Sequence, residues 1–376
     1  GEECCPVKRI AHLMEGCKAK GMATGIVVTT VLPHATPAAW SSHSSYRSYY
    51  DFIAQQQMQS QPPFDVLMGG GARYFDQRRK DGRNLVAEYG GAVVRDAAAL
   101  RVEVGRSGKG QLPLLGLFAD DDMDFEVDRV HAPASPAVEQ PSLAEMTRAA
   151  VTRLKATGKH FCLLVEGSRI DHALHSSDPA SAALDALAYD DMVKDMLLEV
   201  AKNESVELIS VSDHSTGGLT LGMQDDFELE YTGDSATWKH PPRSWRPSVL
   251  AGAKMSTGRL ASKLCCDAAY STPSAAGDFV SSNLGVTPSS ADLDLMTEAR
   301  ARSSGSCSAT EAIADWPRGA CGMGMQVVIN KMIQRASGCF LTTSSHTSED
   351  IHVFAAGKSR QRFQVAKENS EIGALH

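Results

Sequence analysis

Three apolar runs constrain the fold of this chain more than any other feature: TGIVVTT at 24–30, HFCLLVE at 160–166 and VELISVS at 206–212. Each reads as a largely buried strand. Each also follows a segment of helical period, namely VKRIAHLMEGCKAKG, PSLAEMTRAAVTRLKATG and DPASAALDALAYDDMVKDMLLEVAKN. Gly21 stands where the first helix needs a C-terminal cap, and Ser142 and Glu145 have capping-box spacing at the start of the second. Helix–strand alternation of this kind predicts an α/β fold with a large, mostly parallel central sheet and helices on both faces.

At 376 residues the chain can form one large α/β domain or two smaller ones. The expectation is a single domain over 1–376, with 233–325 a variable insertion or lid of short helices and long loops. RRKDGR at 78–83 reads as a solvated loop. A net charge of -8 argues against a nucleic-acid or anionic-membrane footprint, although bound cations could still make a pocket attractive to an anionic substrate. No run approaches ~18 apolar residues, the span of a membrane helix. The nine cysteines, with adjacent pairs at Cys4–Cys5 and Cys265–Cys266, lack zinc-ribbon spacing and fit disulfides or buried thiols alike.

The ionisable residues gather where the apolar runs end. His34 and Thr36 follow the first, in HATP; Glu166, Asp171, His172 and His175 follow the second, in VEGSRIDHALH; Asp213 and His214 follow the third. Ligands of open α/β sheets bind beyond the carboxyl ends of the strands, so three such loops can share a crevice. Singly, each has a plain reading. DH is a common turn, Asp171 and His175 make an i, i+4 surface pair, Glu166 can pair with Arg169, and HATP can be a turn with His34 solvated. Together, imidazoles with carboxylates suit zinc, and the Thr36 hydroxyl with Glu166 suits magnesium. Two metals about 4 Å apart make a clamp for in-line displacement at phosphorus.

VVTTVLPHATPAAWSSH, VEGSRIDHALH, SDHSTGG and SSHTSEDIHVFAAG together resemble the alkaline phosphatase family. FDVLMGGGARYF, GLFADDDMDFEVDR, PSLAEMTRAA and NSEIGAL add to the likeness, which runs over roughly 5–230 and 326–374. The resemblance implies a metal-dependent phosphomonoester hydrolase with two Zn2+ and one Mg2+. It casts Asp171, His175 and His346 as ligands of the first zinc and Asp213 and His214 as ligands of the second. Thr36 and Glu166 become magnesium ligands, with His34 and His172 behind them. Arg47, in SSHSSYRSYY, becomes the guanidinium that holds two phosphate oxygens.

The same resemblance implies phosphomonoesters and inorganic phosphate as ligands, a homodimer in the complete enzyme, and an extracytoplasmic setting (secreted, cell-surface or vacuolar). Family members carry a bridging aspartate and a serine nucleophile before the strand that TGIVVTT matches, and residues 1–20 contain no serine. The expectation is therefore a chain without the nucleophile-bearing segment, folding around most of its sheet but not turning over substrate. Two alternatives stand beside the phosphatase: a non-catalytic metal-binding protein, and a related phosphodiesterase or sulfatase.

Overall fold

The computed structural model describes residues 9–106, 113–131, 139–203, 205–222, 228–232, 235–239, 245–302, 319–364, 368 and 371–372. The described chain begins with α1 (Leu13–Ala19), β1 (Ala23–Val31), α2 (Ala35–Ser41), α3 (Tyr50–Gln59) and β2 (Val66–Gly70). Next come α4 (Leu85–Glu88), β3 (Ala92–Val94), α5 (Ala97–Gly105), β4 (Leu114–Leu117), α6 (Glu126–His131), α7 (Leu143–Ala156) and β5 (Phe161–Glu166). Then follow α8 (Arg169–His175), α9 (Pro179–Lys202), β6 (Leu208–Val211), β7 (Ser215–Thr216) and β8 (Leu219–Leu221), with a hairpin of β9 (Glu228–Thr232) and β10 (Ser235–Lys239). The rest comprises α10 (Pro247–Ala251), α11 (Thr257–Cys266), α12 (Pro273–Leu284), α13 (Ser290–Ala301), α14 (Gly319–Ser337), β11 (Cys339–Leu341), β12 (His346–Thr347), β13 (Val353–Ala356) and α15 (Arg360–Phe363).

The chain divides into two compact units: Gly1–Asp124 with Ser135–Ser168, and Phe125–Ala134 with Arg169–His376. The first holds a parallel five-stranded sheet in the order β3-β4-β2-β1-β5. β1 alternates its faces: Ile26 and Val28 join a core with Met14 of α1 and Ala54 of α3. On the opposite face, a Cβ at Gly25 would meet Leu154 of α7 at 3.1 Å. Helices therefore cover both faces, as the uninterrupted apolar runs require. Gly21 caps α1 in the left-handed region, at φ 75°. Cys17 of α1 is disulfide-bonded to Cys162 of β5.

RRKDGR is a mostly exposed loop, as expected, with one exception. Arg79 is buried, its guanidinium donating to the Asp51 and Tyr74 carbonyls and to Asp81. Charge density along a sequence does not reveal which arginine finds buried acceptors.

In the second unit, α9, α11, α13 and α14 enclose a core that includes Leu260, Leu264, Met296, Ile329 and Ile333. Much of 233–325 thus supplies buried helices to that core, with Cys265 of α11 bridged to Cys321 of α14. β6 also differs from expectation. It pairs antiparallel with β13 in a ladder of its own, where the sequence reading placed it with the parallel strands. An apolar run reports burial, not which strand it will pair with.

Candidate metal centre

The centre belongs to the second unit and starts from α8, whose seven residues carry Asp171, His172 and His175. The turn that follows is tightly held. Asp178 caps α9, its Oδ1 accepting from the amides of Ala180 and Ser181 at 3.1 and 3.0 Å. Its Oδ2 accepts from the Thr257 amide of α11 at 2.8 Å. From α14, Asn330 donates to the Ser176 carbonyl at 2.7 Å and Gln334 to the Ser177 carbonyl at 3.1 Å. Both carbonyls lie just past His175, so α8 is clamped at the end that carries His175.

A two-stranded ladder supplies the partners. β7 pairs antiparallel with β12, setting His346 opposite Thr216 and Thr347 opposite Ser215. Gly217 and Gly218, with φ of 85° and 57°, turn the chain immediately after β7. A Cβ at Gly217 would stand 2.8 Å from Leu341, and one at Gly218 would overlap Thr342. Glycine thus permits both the left-handed backbone and the close approach of the His346 segment.

The donors form a connected set. Nε2 of His175 is 3.3 Å from Oδ1 of Asp171, and Nε2 of His214 is 3.3 Å from Oδ2 of Asp213. Thr216 Oγ1 donates to Asp171 Oδ1 at 2.7 Å and lies 3.1 Å from Nδ1 of His214. The rings of His214 and His346 stack at 3.5 Å between centroids, and His175 and His346 are 5.0 Å apart. Asp171, His214 and His346 each offer a ligand atom within 4.8 Å of the others. The sequence reading divided these five candidate ligands into Asp171, His175 and His346 against Asp213 and His214. The trio within 4.8 Å draws on both sets, and Asp213 is exposed, at 73% of its side chain.

Two hydrogen bonds fix the imidazole tautomers. His175 Nδ1 lies 2.7 Å from the Ser344 carbonyl, which only accepts, so Nδ1 carries a proton and Nε2, toward Asp171, is the nitrogen left for a metal. The Thr216 hydroxyl spends its single proton on Asp171, so His214 Nδ1 must donate to it, freeing Nε2. Imidazoles oriented through the distal nitrogen beside a carboxylate are the donor set that zinc takes, so the residues present fit that ion. Thr216 lies inside SDHSTGG, yet sequence reading did not single it out. Nothing local shows that its hydroxyl meets Asp171, 45 residues away. His172 is placed otherwise: its Nδ1 accepts from Arg169 at 2.8 Å, and the Arg169 guanidinium lies 3.8 Å over the Phe125 ring.

His34, Thr36, Arg47 and Glu166 belong to the first unit. His34 is the residue before α2 and Thr36 lies in that helix's first turn. Glu166 ends β5 and accepts from Ser168 Oγ at 2.7 Å, while Ser168 Oγ accepts from the Thr29 amide at 3.4 Å. Arg47 is exposed between α2 and α3, and its charge acts on Tyr50. Burial raises the Tyr50 hydroxyl pKa, Tyr74 adds to the rise, and Arg47 opposes it.

A family model described as alkaline phosphatase matches residues 6–249. The repressible alkaline phosphatase of Saccharomyces cerevisiae is 38% identical over 279 residues, covering 67% of this chain and 46% of the yeast protein. Alkaline phosphatase 4 of Bacillus subtilis is 29% identical over 371 residues, covering 97% of this chain and 68% of that protein. This chain therefore spans less than half of the yeast relative and about two thirds of the bacterial one. A cold-active alkaline phosphatase from a psychrophilic Shewanella superposes with a TM-score of 0.73 at 26% identity, over 96% of this chain and 76% of that one. The Thermus thermophilus alkaline phosphatase gives 0.70 at 27% identity, over 93% and 68%.

Proposed function

The chain belongs to the alkaline phosphatase family, and from that premise we propose that it is a metal-dependent phosphomonoester hydrolase. The observation that carries the reading is the meeting of Asp171, His214 and His346 from three separate segments, with His175 and Asp213 beside them. In this proposal Asp171, His175 and His346 hold one zinc ion and Asp213 and His214 hold the second. Thr36 and Glu166 bind magnesium, with His34 and His172 behind them. Bound there, these ions would supply positive charge for phosphoryl oxygens and lower the pKa of a water nucleophile.

The chain's own residues do the orienting. The Ser344 carbonyl holds the His175 ring, and the Thr216 hydroxyl aligns Asp171 and His214 together. Arg47 would grip two oxygens of the phosphoryl group through its planar fork, fixing the phosphorus for in-line attack. A phosphoserine intermediate belongs to the proposal, but we assign its serine to no residue of this sequence. Phosphomonoesters are the proposed substrates, inorganic phosphate the product ligand, and a homodimer the proposed assembly. The disulfides Cys17–Cys162 and Cys265–Cys321 support an oxidising, extracytoplasmic setting.

The test is hydrolysis by protein purified from its native source, loaded with zinc and magnesium, of an aryl phosphate, an aryl phosphodiester and an aryl sulfate. The expected result is preference for the monoester, lost on chelation and restored by the metals. Faster turnover of the diester or the sulfate, or full activity in chelator, would overturn the reading.

A further inference from the structure

A second group of metal-ligating side chains lies in the first unit and shares no residue with those assigned above. His12 precedes α1, Glu15 lies in its first turn, and His43 follows the end of α2. Each offers a ligand atom within 4.8 Å of the others. Glu15 Oε1 is 2.9 Å from Nε2 of His43 and 3.8 Å from Nε2 of His12. Donors about 2.0–2.1 Å from a tetrahedral zinc lie ~3.4 Å from one another, so the two separations bracket the spacing an ion needs. We propose that His12, Glu15 and His43 form a zinc-binding site that ties the start of α1 to the segment after α2.

The supporting atoms are already in place. Glu15 Oε2 accepts from the His12 amide at 3.2 Å, leaving Oε1 for the ion. Gln56 of α3 grips the His43 backbone twice, accepting from its amide and donating to its carbonyl, each at 2.8 Å. A carboxylate held by one oxygen and an imidazole held by its backbone are ligands whose orientation costs little to fix. The three side chains line a cavity of about 500 Å3, which leaves room for a fourth ligand such as water.

Burial lowers the His12 pKa, and Glu15 opposes that shift. Burial works to raise the Glu15 carboxyl, but the hydrogen bond from His43 and the neighbouring imidazoles hold it below its usual value. Arg9 and Lys18 also line the cavity and oppose a dication. Lys18 is committed to Ser60 and to the Pro62 carbonyl, and burial lowers its pKa to about 8. Binding also has one structural consequence. His12 Nδ1 accepts from the Glu15 amide at 3.3 Å, so ligation through Nε2 moves the proton to Nδ1 and releases that weak cap.

The experiment measures zinc retained after desalting, with zinc as the only added metal, in the unaltered chain and in His12→Asn, Glu15→Gln, His43→Ala and His346→Ala. Asparagine keeps an N-cap oxygen while removing the Nε2 ligand, so His12→Asn should fold with α1 intact. We expect His12→Asn and His43→Ala each to lose one equivalent and Glu15→Gln to bind it at least tenfold more weakly. Combining His43→Ala with His346→Ala should add the two losses. Zinc-edge anomalous scattering from zinc-grown crystals should place a peak between the three side chains. Unchanged stoichiometry in His12→Asn and His43→Ala, or a crystal with zinc at Asp171 and none at Glu15, would overturn the proposal.

Discussion

Replacing Thr216 by valine removes one hydroxyl and nearly nothing else, because the two side chains have almost the same shape and Thr216 is buried. That hydroxyl makes two connections, donating to Asp171 at 2.7 Å and accepting from His214 at 3.1 Å. The first is a bond to a carboxylate, of a kind that contributes about 1.5–3 kcal/mol. The second sets which nitrogen of His214 carries the proton. Supporting bonds of this type typically change metal affinity by about 10- to 100-fold, equivalent to roughly 1.4–2.7 kcal/mol. We therefore expect Thr216→Val to weaken zinc binding by that factor, measured by competition with a chromophoric chelator at neutral pH. Thr216→Ser keeps the hydroxyl and should stay within about threefold of the parent. Apo-protein stability should fall by about 1.5–3 kcal/mol, the contribution of the bond to Asp171, with the unpaired His214 Nδ1 adding to the loss. A valine variant that binds zinc as tightly as the serine variant would refute the claim that this hydroxyl organises the centre.

Arg47→Ala should raise the inhibition constant of inorganic phosphate at least tenfold in the active protein, with Arg47→Lys recovering only part, because an ammonium cannot make the bidentate fork; an unchanged constant removes Arg47 from the phosphate site. Asp185 accepts from the Glu126 amide at 3.1 Å, and burial raises its carboxyl to about 8 although Arg169 opposes the shift. The folded state thus holds a proton that the unfolded state releases near pH 4, so stability falls as pH rises from about 4 to about 8, by a ceiling on the order of 5 kcal/mol. Asp185→Asn should flatten that slope in urea midpoints taken at pH 5 and pH 8, and identical slopes in the two proteins would dismiss the shift. Replacing Cys17 and Cys162 by serine opens a bridge with a sequence separation of 145. Chain entropy sets a ceiling of about 5 kcal/mol on that loss, read as a lower denaturation midpoint of the first unit. No change in the midpoint would show that the bridge does not constrain the unfolded chain.

What the sequence by itself determined is what a few neighbouring residues can encode. The apolar runs at 24–30 and 160–166 became adjacent strands of the parallel sheet, since covered strands need no polar alternation. Gly21 took its left-handed conformation after α1, and Ser142 Oγ accepts from the Glu145 amide at 3.2 Å. Asp171 and His175 share a face of α8 because four residues make nearly one helical turn. The tertiary structure decided everything that depends on which segment meets which. His346 stands beside His214 only because β12 pairs with β7, and those strands lie 130 residues apart in the chain. β6 took an antiparallel partner that its apolar pattern could not name, and Thr216 reached Asp171 across a ladder and a helix. Periodicity records how buried a residue will be, whereas pairing and register depend on distant segments that satisfy each other's backbone groups. The candidate ligands could therefore be named one by one from the sequence, while which of them lie side by side depends on long-range packing.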